Sequence, residues 1–164
     1  MKVLVLSDSH AALSFMRLCI DKVKPQHVIH LGDHYDDGKA MAEEYPQIRF
    51  HQVPGNCDRF RCDAWLPDVL CYDVAGVRMY MTHGHKHAVK SGNFHLVNTA
   101  RENGAKIALY GHTHSAVCEQ QFDGMWVLNP GTCGSYGGSA GLIEMEEGKI
   151  TSCRILRQEE LERL

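Results

Sequence analysis

Apolar positions in the first third of the chain alternate between two rhythms. Residues 2–7, Lys-Val-Leu-Val-Leu-Ser, are apolar almost throughout, the pattern of a strand buried on both faces. Leu13, Met16, Ile20 and Val23 then recur at helical spacing, with Arg17, Asp21 and Lys24 opposite, and Pro25 ends that helix. Val28 to Leu31 reads as a second strand. Ala40 to Tyr45 reads as a short helix stopped by Pro46, with Gly38 weakening its start, and Ile48 to Val53 as a third strand closed by Pro54-Gly55. This β-α-β-α-β opening with short connections predicts a parallel sheet wound through right-handed crossovers.

The second half changes rhythm. Val69 to Val74 and Val77 to Thr82 flank Ala75-Gly76, a hairpin signal. A helix is expected over Ala88 to Asn103, stopped by Gly104, and a strand over Lys106 to Tyr110. Four further strands, 117–122, 125–128, 142–146 and 150–156, are separated by turns such as Asp123-Gly124 and Glu147-Gly148 and predict an antiparallel meander. A Gly- and Ser-rich loop spans 131–141, but no linker or repeat divides the chain. The expectation is one α/β domain over residues 1–164, with two sheets packed face to face and helices outside.

Composition narrows the function. Hydrophobic residues make up 44% and charged residues 23% of the 164, the balance of a soluble globular protein. Seventeen basic residues against twenty acidic ones form no basic stripe, which excludes a protein that tracks long nucleic acid. The longest apolar runs fall short of a membrane span, and Met1-Lys2 with its short apolar run is not a signal peptide. Seven cysteines without a C-x-x-C pair suggest free thiols and a cytoplasmic location.

The eleven histidines cluster. Asp8-Ser9-His10, Gly32-Asp33, Gly55-Asn56, His83-Gly84-His85 and Gly111-His112-Thr113-His114 each follow a predicted strand directly. Taken singly, each has an ordinary explanation as a helix cap or turn. Together they bring two Asp, one Asn and four His, besides His85, to the strand exits expected to line the crevice of one sheet. A structural metal prefers a closed, Cys-rich shell, whereas this mixed imidazole and oxygen set is too large for one ion. It suits two divalent ions sharing a carboxylate.

In that order, Asp8-x-His10, Gly32-Asp33, Gly55-Asn56, His83-Gly84-His85 and Gly111-His112-x-His114 resemble the signature of the calcineurin-like metallophosphoesterases. Asn129-Pro130-Gly131 resembles a later element of that family. The chain's size and its Gly-Asn-Cys-Asp variant at 55–58 are similar to the small prokaryotic phosphodiesterases of the YfcE/YsnB type. The resemblance implies a four-layer αββα fold, with Asp8, His10, Asp33 and His114 on one metal. Asp33 would bridge to a second metal held by Asn56, His83 and His112. It further implies a metal-dependent phosphodiesterase that hydrolyses small phosphodiesters by in-line attack of a metal-bridging hydroxide.

Donor chemistry suits Mn²⁺, Zn²⁺ or Fe, and the resemblance leans towards Mn²⁺. Asp33, His10 and His85 are the catalytic candidates. Asp58 is a candidate for orienting a metal-binding histidine. Where many relatives of the superfamily carry a histidine thought to protonate the leaving alcohol, this chain has Cys57, expected as a small buried filler. His10, His34 or His85 could then donate the proton. Arg59 and Arg61 could meet a second substituent on phosphorus, and Trp65-Leu66-Pro67 could cover the pocket mouth or pack in a protein interface. A small phosphodiester substrate and a homo-oligomer are the partners expected, with no membrane. The competing reading is a protein-binding scaffold resembling the retromer subunit of this fold, disfavoured because all seven ligand positions hold competent groups.

Overall fold

The computed structural model describes residues 1–134 and 137–164; Ser135 and Tyr136 of the Gly- and Ser-rich loop lie outside the described residues. The elements run β1 (Lys2–Leu6), α1 (Leu13–Val23), β2 (His27–His30), α2 (Tyr35–Glu44), β3 (Arg49–Gln52), β4 (Val69–Val74) and β5 (Val77–Thr82). They continue with α3 (Phe94–Glu102), β6 (Ile107–Leu109), β7 (Val117–Gln120), β8 (Trp126–Asn129), β9 (Ser139–Glu146), β10 (Lys149–Arg157) and α4 (Gln158–Glu162). Two five-stranded sheets form, ordered β10-β9-β1-β2-β3 and β4-β5-β6-β8-β7.

Alternation along each strand explains the layers. Val3, Val5, Ile29, Leu31, Ile143 and Met145 of the first sheet meet Val77, Met79, Met81, Ile107, Leu109 and Leu128 of the second in one buried cluster. On the outer face of the first sheet, Leu4, Leu6, Val28 and Leu142 pack against Phe15, Met16, Cys19 and Ile20 of α1, Met41 of α2 and Leu161 of α4. Tyr80, Ala108 and Val127 pack against Leu96, Val97 and Ala100 of α3 on the far side. Central strands are therefore buried on both faces, as the uninterrupted apolar run at 2–7 implies. The result is the expected four-layer arrangement of helices, sheet, sheet and helices.

Four details depart from the sequence reading. The last four strands form no single meander: β7 and β8 are a hairpin in the second sheet, where β8 runs parallel to β6. In contrast, β9 crosses to the first sheet and pairs antiparallel with β1 and β10. Helix α2 begins at Tyr35, five residues early, because its first N–H groups are capped from across the chain by Asp58. Gly38 belongs inside it, since a Cβ there would run into the Gln52 amide of neighbouring β3. The helix expected from Ala88 is broken at Gly92, whose φ of +118° favours glycine, so α3 starts only at Phe94. Finally, α4 was not foreseen; it packs Leu161 under β10.

Candidate metal centre

The five polar clusters leave strands of both sheets rather than one. Asp8, Asp33 and Asn56 follow β1, β2 and β3, which are mutually parallel; His83 and His112 follow β5 and β6, parallel in the second sheet. The carboxyl ends of the two parallel sets meet at the same rim of the sandwich. Asp8, Asp33, His10, His112 and His114 all hold φ between +42° and +67°. Side chains other than glycine avoid that region, so the surrounding contacts must impose it, a pattern concentrated at functional sites.

Several of those contacts are visible. Asp8 N donates to Gly32 O at 2.9 Å and Ser9 N to Asp33 O at 3.2 Å, tying the first two exits together. Ser7 Oγ donates to Asp8 Oδ2 at 2.5 Å, and His112 N donates to the same oxygen at 3.1 Å, bringing in the second sheet. Gly111 is required here: a Cβ would collide with Ser7 Oγ and the Asp8 carboxylate. Asn129, fully buried, donates to Gly111 O and Thr113 Oγ1 at 3.1 and 2.9 Å and so holds the turn that presents His112 and His114. Thr132 Oγ1 donates to Asp8 O at 2.8 Å.

Asp58 orients no histidine; that expectation is corrected. Its carboxylate is buried and accepts four backbone N–H groups, from Asp33 (2.9 Å), Gly55 (2.8 Å), His34 (2.8 Å) and Tyr35 (2.9 Å). It therefore clamps the β2 exit, the β3 exit and the start of α2 in one step. Cys57 is likewise no buried filler but exposed, with its N–H donated to Asp33 Oδ1 at 2.9 Å. Burial of part of its thiol, together with the neighbouring Asp33 carboxylate, pushes its ionisation upward.

The donor atoms converge. One oxygen or ring nitrogen each from Asp8, His10, Asp33 and His114 lie within 4.8 Å of one another. His83 Nε2 stands 3.0 Å from Asn56 Oδ1, 3.5 Å from Asp33 Oδ1 and 4.0 Å from Asp8 Oδ1. The His112 ring packs against His83 at 5.0 Å between centroids. Asp33 thus adjoins both groups. Asp8, His83 and Asp33 form a floor with at most 3% exposure, whereas His10, Asn56 and His114 stand at an open rim. His85 lines the cavity beside Asn56, its ring 5.4 Å from His83; His34 packs on His10 at 4.9 Å.

Two features fit this set to cations. Asp8 Oδ1 is buried and makes no hydrogen bond, although His114 Nε2 lies 3.0 Å away. His83 Nδ1 lies 2.7 Å from Leu31 O, which can only accept, so Nδ1 carries the hydrogen. With Nδ1 so occupied, Nε2 is the nitrogen that faces the oxygens of Asn56 and Asp33, where a positive charge, carried by a proton or a metal ion, offsets the crowding of oxygen atoms. Burial, then His83 and positively charged lysines, holds the rings of His85 and His112 in the neutral form that metals require. Burial opposes ionisation of Asp33, yet His83, Cys57 and His10 together keep its carboxyl below the usual range.

A sandwich of two mixed sheets with helices on both sides, and aspartate, asparagine and histidine gathered at its rim, defines the metallophosphoesterase class. The chain belongs to the calcineurin-like phosphoesterase superfamily, whose domain model matches residues 1–148. It is 29% identical over 157 residues to phosphodiesterase MJ0936 of Methanocaldococcus jannaschii, covering 83% of this chain and 86% of that protein. It is 30% identical over 135 residues to the probable metallophosphoesterase YsnB of Bacillus subtilis, covering 80% and 75%. Among solved structures, a predicted phosphoesterase from Streptococcus pneumoniae superposes with a TM-score of 0.75 at 23% identity, over 96% of this chain and 90% of that one. Wild-type Vps29 of Entamoeba histolytica complexed with Zn²⁺ gives 0.70 at 22% identity, over 96% and 99%. These last two likenesses concern the fold. Among the described residues, no helix is long and apolar enough to cross a membrane.

Proposed function

We propose that the chain, acting as one domain over residues 1–164, is a phosphodiesterase that uses two divalent ions to hydrolyse small phosphodiesters. The observation that supports this most is the orphaned, fully buried Asp8 Oδ1 beside His114, with His83 Nε2 facing the oxygens of Asn56 and Asp33. Asp8, His10, Asp33 and His114 would hold one ion, and Asp33, Asn56, His83 and His112 the other. Mn²⁺ is the preferred ion, with Zn²⁺ or Fe compatible with the same donors. When bound, such ions acidify water near neutral pH and stabilise charge on the phosphoryl oxygens. Asp33, ionised between the two donor groups, sets their spacing. His10 and His114, at the rim, face the side from which a phosphate enters.

A cavity of about 510 Å³ adjoins Asn56 and His85 and is lined by Pro54, Arg59, Ala64 and Leu66 among others. A phosphate alone would leave most of it empty, so the cavity favours an ester carrying a second organic group. Arg59, without an acidic partner among the described ion pairs, stands where that group would lie. Neither His85 nor Cys57 is poised to donate a proton: burial, then His83, favours the neutral form of His85, and burial beside Asp33 makes the Cys57 thiol a weaker acid. Good leaving groups should therefore react best.

The small-diester specificity, the absence of a long nucleic-acid partner and the cytoplasmic location belong to this proposal. A scaffold of the same fold would have no physical need for seven competent donors. The test compares bis(p-nitrophenyl) phosphate with p-nitrophenyl phosphate on Mn²⁺-loaded protein, for wild type and Ala64→Trp. The expectation is a preference for the diester that Ala64→Trp reduces about tenfold while the monoester is spared. A wild type that prefers the monoester would overturn the diester reading.

A further inference from the structure

Away from the rim, the two sheets also meet along their flanks. On one flank, edge strand β3 reaches edge strand β4 through His51 Nδ1 and Tyr72 OH, 2.5 Å apart. On the other flank the edge strands are β7 and β10, and the contact between them is sulfur on sulfur. Cys118 Sγ and Cys153 Sγ lie 3.3 Å apart, part-buried against the cluster between the sheets. Cys118 pairs with Leu128 in its own sheet and Cys153 with Ile143 in the other, so the thiols bridge layers that share no backbone hydrogen bonds.

We propose that Cys118 and Cys153 are a dithiol–disulfide couple that closes this flank of the sandwich when a low-molecular-weight disulfide serves as oxidant. The Cys118 thiolate attacks one sulfur of the oxidant RS–SR, forming a Cys118–S–SR mixed disulfide and releasing RS⁻. The Cys153 thiolate then attacks the Cys118 sulfur, forming the Cys118–Cys153 bond and releasing the second RS⁻. In sum, two protein thiols and RSSR give one protein disulfide and two RSH; the protein is oxidised and the reagent reduced.

Closing the bond needs the sulfurs to approach by roughly 1 Å, to the ~2.05 Å of a disulfide, a shift that two edge strands can share. The two thiols share one hydrogen bond at 3.3 Å, and that contact lowers the ionisation of Cys118, which makes it the attacking sulfur. The other cysteines lack this setting. Cys19 and Cys133 are buried, and burial pushes their thiols far up. Cys62 bonds to the Asp58 carbonyl instead.

The link joins positions 35 apart, the two sheets included. Constraining a loop of that size in the unfolded chain should raise Tm by roughly 5–15 °C. It also ties β7, which begins three residues after His114, to the sheet that carries Asp8 and Asp33.

The test incubates metal-free protein with oxidised glutathione at pH 8, counts thiols under denaturing conditions, maps peptides and measures Tm with and without reductant. Thiols should fall from seven to five, one cross-link should join the peptides containing Cys118 and Cys153, and the oxidised form should melt higher. Cys153→Ser should instead stop at the glutathione adduct on Cys118 and show no rise in Tm, whereas Cys71→Ser should behave as wild type. Seven free thiols after oxidation, a cross-link between other cysteines, or a Tm that fails to rise with the Cys118–Cys153 bond in place would each overturn the proposal. No outcome depends on hydrolytic activity, so this inference stands or falls apart from the proposed function.

Discussion

Replacing Asp58 by Ala tests how the centre is held together. Its two carboxylate oxygens accept four backbone N–H groups at 2.8–2.9 Å. Two of the donors, on Asp33 and Gly55, sit in buried surroundings, while His34 and Tyr35 are part-buried and open to replacement by water. A buried donor left unpaired costs about 1–3 kcal/mol, so Asp58→Ala should cost about 3–5 kcal/mol of folding stability once the smaller losses at α2 are included. That is a large part of the ~5–15 kcal/mol that holds a domain of this kind folded. Asp58→Asn keeps one oxygen but turns an amide NH₂ towards the other pair of donors, and should cost about 2–3 kcal/mol. Asp33 and the Gly55-Asn56 turn would both loosen, so affinity for Mn²⁺ should fall ~10–100-fold even where the protein still folds. Urea unfolding of chelated protein measures the first effect and calorimetric Mn²⁺ titration the second. A loss below about 1 kcal/mol with unchanged Mn²⁺ affinity would refute the clamp.

Three further outcomes follow from the same geometry. Asp33→Ala should weaken both ions and lower diester hydrolysis more than Asn56→Ala or His112→Ala; retained activity in Asp33→Ala alone would misplace the shared ligand. Hydrolysis rates of aryl and alkyl phosphodiesters should fall steeply as leaving-group pKa rises, and Cys57→His should flatten that slope by favouring the poor leaving groups, up to ~10²-fold; a shallow slope in the wild type would mean that another residue already donates the proton. His30 is fully buried with a pKa lowered by desolvation to about 4 from 6.5, so above pH 6.5 both folded and unfolded states hold it neutral. Below 6.5 only the unfolded chain takes the proton, and stability of metal-free protein should drop by roughly 3 kcal/mol between pH 6.5 and 4 on this account, a drop missing in His30→Gln when urea midpoints are compared.

Much of this molecule was legible as pattern, because strands buried on both faces and amphipathic helices leave direct periodic traces. The pairing of Val69 to Val74 with Val77 to Thr82 was read to the residue, since a two-residue turn fixes register locally. The seven donor residues were visible as clusters at strand exits, and the structure brings six of them into direct atomic proximity, with His112 adjoining through its ring. Hidden features depend on partners far apart in the chain. The start of α2 is capped by Asp58, 23 residues away, so no local signal marks it. Assignment of the exits to two sheets rests on the chain leaving the first sheet after β3 and starting the second with β4, a choice that the alternating pattern of either strand permits. Asn129, Thr132, Ser7 and the Leu31 carbonyl act by holding the donors in place; of these, only Asn129 stood in a recognisable motif, and its motif did not reveal that it grips Gly111 and Thr113.

The central claim, that these residues hold two ions and hydrolyse diesters through them, is tested most directly by metal titration of stripped protein. Retained Mn²⁺ and hydrolysis of bis(p-nitrophenyl) phosphate are followed together as Mn²⁺ is added back. Stripped protein should be inactive, and activity should climb to a plateau as two ions per chain are retained, with His112→Ala retaining one and hydrolysing little. Full hydrolysis by protein free of metal, or a plateau at one ion per chain, would contradict the account.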